Sequence, residues 1–212
     1  MTDRRTALVA AGYDAMADTW ETWSAHVSDD SRYEWLTRLT ERLPDGARVV
    51  ELGCGNGTRE TRELASRYQL TGVDLSTEQL RRARARVPGA TFVHGDLTTV
   101  DFAPESLDAV CAFYVLNHVP RDLLPQVFDR VLTWLRPGGL FLATLGASDL
   151  EAWEGDWLGV PMYFSAFDSA RSRQLVEKAG FEIVSAQDEA DEEDGMRIVF
   201  LWVVARKPDQ RP

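Results

Sequence analysis

The segment that decides the fold is Val49-Val50-Glu51-Leu52-Gly53-Cys54-Gly55-Asn56-Gly57-Thr58, an apolar strand that ends in an acid and continues into a glycine-rich turn. Glycine at positions 53, 55 and 57 lets the backbone turn tightly and lets a ligand approach it, because no Cβ is in the way. Glu51 does not suit a phosphate group but suits a positively charged or amine-bearing ligand. The segment therefore indicates a site for a small nucleoside cofactor that carries cationic groups.

This segment resembles motif I of the class I S-adenosylmethionine-dependent methyltransferases. The resemblance covers residues 13–205, and its parts follow the order that the family has. The downstream acids Asp74 and Asp96 and the element Pro137-Gly138-Gly139 belong to the same pattern. The resemblance implies a small-molecule methyltransferase with S-adenosylmethionine as its cofactor. The length of 212 residues predicts a single domain over residues 1–212.

Apolar runs and turn signals alternate along the chain. They predict strands at 49–52, 70–75, 90–95, 107–113, 140–145, 181–186 and 197–205, and helices at 58–68, 76–86, 123–135 and 168–179. Strands that alternate with helices imply a parallel sheet with helices on both faces. The last two strands are joined directly by the acidic segment 187–195, so the last strand should run antiparallel. Its run 188–194 is predicted to be a solvated turn, with a docking site for a cationic substrate as the alternative. As the resemblance also implies, we expect a Rossmann-like α/β fold with a mostly parallel seven-stranded sheet and an antiparallel C-terminal strand.

Composition excludes several function classes. A net charge of −11 argues against nucleic acid as the main partner, since phosphate binding needs clustered Lys and Arg. With only two cysteines, Cys54 and Cys111, a disulfide framework or a zinc cluster is not expected. No apolar stretch reaches membrane-spanning length and no signal peptide is evident, so no membrane association and a cytoplasmic location are expected.

The acids at the strand ends predict the cofactor site. Ligands of open α/β sheets bind beyond the carboxyl ends of the strands, so Glu51, Asp74 and Asp96 should converge. We expect Asp74 to accept hydrogen bonds from the ribose hydroxyls; the alternative is a helix N-cap. By the resemblance, Asp96 accepts from the adenine amine while the backbone amide of Leu97 meets the ring. The predicted cofactor-binding set is Tyr13, Trp20, Glu51, Gly53, Cys54, Gly55, Asn56, Gly57, Asp74, Leu75, Asp96, Leu97, Phe113 and Tyr114.

Residues 1–43 are predicted to be helical and to form an N-terminal lid. Tyr13-Asp14-Ala15-Met16-Ala17 resembles the opening of small-molecule methyltransferases, which would place Tyr13 and Trp20 over the methionine end of the cofactor. Packing within the helical core is the alternative for both side chains.

Of the three histidines, His118 is the candidate catalytic residue. It follows the fourth strand, near the expected methyl group, and its unperturbed pKa suits a general base. The alternative is a histidine that only packs against the loop. His26 and His94 are less suited, because one belongs to the N-terminal region and the other to a strand.

The segment 146–167 is predicted to be a loop on the acceptor side of the site. Its aromatic side chains fit an apolar or ring-bearing acceptor, or they close the domain as a hydrophobic plug. The predicted acceptor-binding residues are Asn117, Trp153, Trp157 and Tyr163. No distinctive set of metal ligands is present, so no metal is expected.

These observations favour methyl transfer by in-line displacement to an oxygen or nitrogen of a small molecule. A nicotinamide dehydrogenase is less favoured, because Gly57 falls one position early for its fingerprint and the chain has no Tyr-x-x-x-Lys pair. A non-catalytic cofactor-binding protein stays open. So does an enzyme that uses the same cofactor without methylation, such as an intramolecular cyclisation.

Overall fold

The computed structural model of the protein describes residues 3–24, 30–193 and 196–209. The helices are α1 (Arg4–Ala15), α2 (Ala17–Ser24), α3 (Asp30–Thr40), α4 (Arg59–Arg67), α5 (Thr77–Arg86), α6 (Leu124–Trp134) and α7 (Ser169–Lys178), with a short 3₁₀ turn at Leu116–His118. The strands are β1 (Arg48–Leu52), β2 (Gln69–Asp74), β3 (Thr91–His94), β4 (Leu107–Ala112), β5 (Leu135–Gly146), β6 (Leu150–Trp157), β7 (Val160–Ala166), β8 (Glu182–Glu193) and β9 (Met196–Arg206). His26 lies outside the described residues.

Seven strands form one sheet in the order β3-β2-β1-β4-β5-β9-β8. Strands β1 to β5 are parallel, and β9 runs antiparallel to both β5 and β8. This confirms the predicted mostly parallel seven-stranded sheet with an antiparallel C-terminal strand. The remaining two strands, β6 and β7, pair only with each other.

The central strand β1 is buried on both faces, as parallel strands between helices are. Val50 packs into the core that β4, α6 and α7 share, which includes Phe128 and Val176. Val49 faces the opposite core, with Trp35 of α3 and Leu64 of α4. Helices therefore cover both faces of the sheet, as predicted.

The helix starts follow from local chemistry. Thr58, Ser76 and Asp168 cap α4, α5 and α7 by accepting a hydrogen bond from a backbone amide of the first turn. These side chains satisfy amides that no helical carbonyl can reach, and this is why the predicted helix starts agree with the structure.

Two segments that were predicted to be irregular are strands. The segment 146–167 is not a loop but the hairpin β6–β7, which turns at Leu158 and Gly159 with φ of +53° and +84°. Both turn residues are left-handed, as tight hairpin turns require. The acidic segment 187–195 is not wholly a turn either, because β8 pairs with β9 as far as Glu193. Acidic side chains suit β8 because it is an edge strand.

The N-terminal region divides into two parts. Helix α3 belongs to the core, where Trp35, Leu36 and Leu39 are fully buried. Helix α1 instead contacts the hairpin strand β7 and the start of α5. Arg82 of α5 pairs with Asp18 and Glu21 and so fastens α2 beside it.

In the described part of the chain, no helix is long and apolar enough to span a bilayer.

Asp14 fastens α1 to the start of α5, and its removal should weaken the fold. Its Oδ1 accepts from the Ser76 hydroxyl at 2.6 Å and from the Glu78 amide at 3.0 Å. Because this is capping chemistry, we expect Asp14→Ala to lower the free energy of unfolding by about 0.5–2 kcal/mol in urea titrations. Asp129→Ala, at an exposed position on α6, is the matched control and should change it by less than about 0.5 kcal/mol. Equal effects of the two substitutions would contradict the capping role.

Candidate functional site

A cavity lies beyond the carboxyl ends of β1, β2 and β4, between the sheet and the elements α1, α2 and the β6–β7 hairpin. Its walls bring together most of the residues that the sequence predicted for the site. These are Tyr13, Trp20, Glu51, Gly53, Gly55, Asp74, Leu75, Asp96, Leu97, Phe113, Tyr114, Asn117, His118 and Trp157.

The glycine turn forms the floor of the cavity. Gly53 has φ of +71°, and a Cβ there would lie 2.5 Å from Val115 Cγ2, so the position admits only glycine. The Gly55 amide donates to Asp74 Oδ2 at 2.8 Å, and the Gly53 amide donates to the Val73 carbonyl at 2.8 Å. The turn is therefore tied to the end of β2, and its backbone faces the cavity.

Glu51 is a buried acid at the end of β1, only 2% exposed. One carboxylate oxygen accepts from the Thr61 hydroxyl at 3.2 Å, while Oε2 has no hydrogen-bond partner among the described residues. Burial raises the pKa of this carboxyl to about 8, although the Thr61 hydrogen bond acts in the opposite direction. Glu51 is therefore neutral near pH 7 until a cationic group of a ligand approaches.

Asp74 and Asp96 are held by backbone amides. Asp74 accepts from Ser76 at 2.9 Å as well as from Gly55, and burial raises its pKa above the ordinary value. Asp96 accepts from the amide and the hydroxyl of Thr98, both at Oδ1. An ionised carboxylate offers about four acceptor directions, so both side chains can still accept from a ligand.

Tyr114 lies two residues after the end of β4 and lines the cavity. Its φ of +53° is left-handed, which costs a non-glycine residue about 1–3 kcal/mol and is typical of binding sites. Its ring packs edge-on against Phe200 and carries the Arg32 guanidinium 4.8 Å from its centre. Arg32 also pairs with Glu60 at 3.6 Å and lines the cavity, so it places a positive charge there.

Aromatic rings enclose the end of the cavity beneath α1 and α2. Tyr13 contacts Trp20 and Trp157 edge-on, with ring centres 6.3 and 6.2 Å apart. Trp157 also meets Phe164 at 5.4 Å and Trp23 at 5.4 Å. Such a wall excludes water and accommodates a flat or apolar ligand.

His118 lies in this aromatic end with both ring nitrogens occupied. Nδ1 is 3.0 Å from the Tyr163 carbonyl oxygen, and Nε2 is 2.8 Å from the Tyr13 hydroxyl. A carbonyl can only accept, so Nδ1 carries the proton and Nε2 accepts from Tyr13. Burial lowers the pKa of His118 to about 4, against the opposing effect of the Tyr163 carbonyl. His118 is therefore neutral near pH 7.

Five predicted site residues do not line the cavity. Cys54 is fully buried behind the turn, where burial raises its thiol pKa well above the ordinary value. Asn56 is buried, and Gly57 packs against Ala83 of α5. Tyr163 is buried with α1 and reaches the site only through its carbonyl, whereas Trp153 is partly exposed on the hairpin. Alternation along β7 turns Tyr163 away from the face that carries Phe164, whereas Trp153 shares the face of Phe164 and Trp157 but lies further along β6 from the cavity; a predicted loop could reveal neither.

Several residues that line the cavity were not predicted from the sequence, among them Thr6, Val9, Trp23, Arg32, Thr58, Gln79, Thr98, Phe164 and Phe200. A signal for some of them existed, because Thr6, Val9 and Tyr13 recur at the spacing of one helix face. Gln79 and Arg32 had none, since their role depends on contacts between distant elements.

Three buried polar groups indicate whether a cofactor with a nucleoside part and an amino-acid part fits the cavity. The partnerless atoms among the described residues include Glu51 Oε2, both side-chain amide atoms of Gln79, and Asn117 Oδ1, and all three residues line the cavity. An ammonium group, an adenine edge and an acceptor hydroxyl or amine would satisfy them. These partnerless polar atoms therefore fit S-adenosylmethionine together with a methyl acceptor. Within the described ranges no cluster of three or more His, Cys, Asp or Glu side chains is placed to hold a metal ion.

Comparison with known proteins points to one family. A family described as a methyltransferase domain matches residues 49–139. The 27-O-demethylrifamycin SV methyltransferase of Amycolatopsis mediterranei is 32% identical over 170 residues, with 68% of this chain and 62% of that protein covered. A trans-aconitate 2-methyltransferase of Rhodopseudomonas palustris is 39% identical over 101 residues, with 46% and 38% covered. The chain thus spans less than two thirds of the length of either relative.

A solved structure shares the fold. The 1,6-didemethyltoxoflavin N1-methyltransferase of Burkholderia thailandensis, with its substrate and S-adenosylhomocysteine bound, aligns with a TM-score of 0.70 at 22% identity, covering 97% of this chain and 87% of that chain. Sequence, fold and site together place this chain among the class I S-adenosylmethionine-dependent methyltransferases. It is an enzyme, and S-adenosylmethionine is its cofactor.

The raised pKa of Glu51 predicts a pH-dependent affinity. The ammonium group of S-adenosylhomocysteine favours ionised Glu51, so below pH 8 binding should release a proton and affinity should rise as the pH increases from about 5 to 8. Calorimetry in two buffers of different ionisation enthalpy measures that proton. Glu51→Gln should bind more weakly and lose this release while keeping its thermal stability. Proton uptake on binding to the unmodified protein would contradict the assignment.

Proposed function

We propose that the enzyme transfers the methyl group to an oxygen or nitrogen atom of a small molecule by in-line displacement. The observation that carries this proposal is Asn117 Oδ1, a buried acceptor in the cavity with no hydrogen-bond partner among the described residues. Such an atom calls for an O–H or N–H donor, which a carbon acceptor does not supply. The substrates in the names of the similar proteins support it, one being an O-demethyl compound and another a substrate methylated at N1.

The chain's own charges suggest how the cofactor is held. Glu51 would take the ammonium group and Arg32 the carboxylate of the amino-acid end, since the guanidinium lies on the same wall as Tyr114. Asp74 would accept from the ribose hydroxyls, and Asp96 with the Leu97 amide would meet the adenine ring. The bound cofactor supplies a sulfonium methyl group with its leaving group already attached.

The acceptor site is the aromatic end of the cavity. Tyr13, Trp20, Trp157 and Phe164 form its walls, which suits a ring-bearing acceptor and excludes water. Helices α1 and α2 act as a lid and the β6–β7 hairpin as the opposite wall. Because the reaction is a displacement, holding the acceptor in line is the main task of these residues.

Proton removal from the acceptor would involve His118 through Tyr13. The neutral Nε2 accepts a hydrogen bond from the Tyr13 hydroxyl. When the Tyr13 oxygen takes a proton from the methyl acceptor, its own hydroxyl proton can therefore pass to His118 Nε2. With a pKa of about 4, His118 is a weak base. It can take the proton once the acceptor group becomes acidic, which happens as the methyl group is transferred to it. The Tyr163 carbonyl holds the imidazole in the required tautomer.

Asn117 tests the acceptor class. Asn117→Leu removes the buried acceptor oxygen at similar volume, whereas Asn117→Asp keeps an oxygen there. Once an acceptor has been found by screening hydroxyl- and amine-bearing ring compounds, we expect Asn117→Leu to lower kcat/KM by about 10-fold or more, with unchanged affinity for S-adenosylhomocysteine. Asn117→Asp should retain more of the rate. Full activity of Asn117→Leu would remove the support for an O–H or N–H acceptor.

Tyr13 and His118 should act as one unit. We expect Tyr13→Phe and His118→Phe each to lower kcat by roughly 10²-fold, and the double variant to be no slower than the worse single variant. Single-turnover methylation rates at saturating cofactor measure this. Trp153→Phe, which changes an aromatic residue outside the cavity, is the control and should keep the rate. Effects that multiply in the double variant would show that the two residues act separately.

A further inference from the structure

Gln79 is a buried amide that the fold itself does not satisfy. It lies in the first turn of α5, is 1% exposed and lines the cavity. Its backbone amide donates to the Ser76 hydroxyl at 3.0 Å, so its main chain is paired. Its side-chain nitrogen and oxygen both lack a hydrogen-bond partner within the described residues.

Two unpaired amide atoms in one buried side chain are costly. Each buried donor or acceptor gives up its hydrogen bonds to water without a replacement, and an apolar residue of similar size would avoid that cost. Every other buried side chain with a partnerless polar atom among the described residues has only one such atom: the indole nitrogens of Trp35 and Trp202, Arg121 Nε, Thr144 Oγ1, Glu51 Oε2 and Asn117 Oδ1. Gln79 alone, among the residues described, presents a donor and an acceptor side by side to the cavity.

Gln79 stands where the nucleoside part of the cofactor is expected. It follows β2, which ends at Asp74, and α5 packs against β3, the strand that leads to Asp96. Both acids line the same cavity. A ligand that reaches from Asp74 to Asp96 therefore passes the side-chain amide of Gln79.

An adenine ring has an edge that matches this amide. Its N7 accepts and its exocyclic N6 amine donates, and a glutamine amide pairs with both atoms at once. We propose that Gln79 binds this edge of the cofactor's adenine, with the amide nitrogen donating to N7 and the amide oxygen accepting from N6. The inference rests on the proposed cofactor pose, in which Asp96 accepts the other N6 hydrogen and the Leu97 amide meets the adjoining ring edge.

This arrangement makes the site specific for adenine. A purine with a carbonyl at position 6 would direct that oxygen at the Gln79 oxygen and at Asp96, so neither contact could form. Gln79 is thus a specificity-determining residue that reads the base without using charge.

The test pairs a protein variant with a ligand variant. Affinities of the unmodified protein and of Gln79→Leu are measured by calorimetry for S-adenosylhomocysteine and for its 7-deaza analogue, which lacks the N7 acceptor. We expect Gln79→Leu to bind S-adenosylhomocysteine about 10- to 100-fold more weakly. The unmodified protein should bind the 7-deaza analogue about 10-fold more weakly than the parent, while Gln79→Leu should bind the two ligands within about 2-fold of each other.

Stability of the ligand-free protein gives an independent readout. Because the substitution removes an unpaired buried amide, Gln79→Leu and Gln79→Met should unfold at an equal or higher temperature than the unmodified protein. A merely structural glutamine would lose stability instead. Gln79→Met preserves side-chain length and replaces the leucine variant if that one does not fold. Gln126→Leu, at an exposed position on α6, is the control and should change neither affinity nor discrimination.

The outcomes separate this inference from the proposed function. If Gln79→Leu binds S-adenosylhomocysteine as tightly as the unmodified protein does, or loses the same factor of affinity for both ligands, the role of Gln79 is overturned. The assignment of the cofactor is then unaffected. No binding of S-adenosylhomocysteine to the unmodified protein overturns both.

Discussion

The site is built around Glu51, a buried carboxyl group at the end of the central strand whose Oε2 has no hydrogen-bond partner among the described residues. Burial raises the pKa of this group to about 8, so the group is mostly neutral near pH 7 in the ligand-free fold, and a positively charged ligand would favour its ionised form. The glycine turn that follows must be left-handed to pass beside Val115, and Asp74 ties it to β2. Together these constraints shape a cavity for a cationic nucleoside and not for a pyrophosphate.

The same principle extends across the cavity. Glu51 lacks a cation, Gln79 lacks a donor and an acceptor, and Asn117 lacks a donor among the described residues. Each deficit weakens the ligand-free protein and strengthens the complex, because the fold has already met the cost of burying the polar atom. The aromatic end works differently: the His118 ring is satisfied at both nitrogens and is neutral, so it is organised before the acceptor arrives.

Local sequence signals predicted much of the fold and of the site, whereas the features that were not predicted depend on long-range contacts. The strand–acid–glycine segment and the acids at the ends of β2 and β3 each depend on a few neighbouring residues, so they could be identified from the sequence. The β6–β7 hairpin was not predicted because glycines at 155 and 159 are typical of a loop, whereas the pairing of β6 with β7 depends on cross-strand contacts. The bond between Tyr13 and His118 joins residues 105 positions apart, and the cavity role of Gln79 depends on how α5 packs on β3. No local pattern encodes such contacts.

The most direct test of this account is a calorimetric titration of the purified protein with S-adenosylhomocysteine and, separately, with NAD. The acids Glu51, Asp74 and Asp96 around the cavity should give saturable micromolar binding of the sulfur nucleoside and no heat with NAD, whose pyrophosphate would face Glu51 and Asp74. Binding of NAD, or silence with both ligands, would contradict the claim that this cavity is built for a cationic adenine nucleoside.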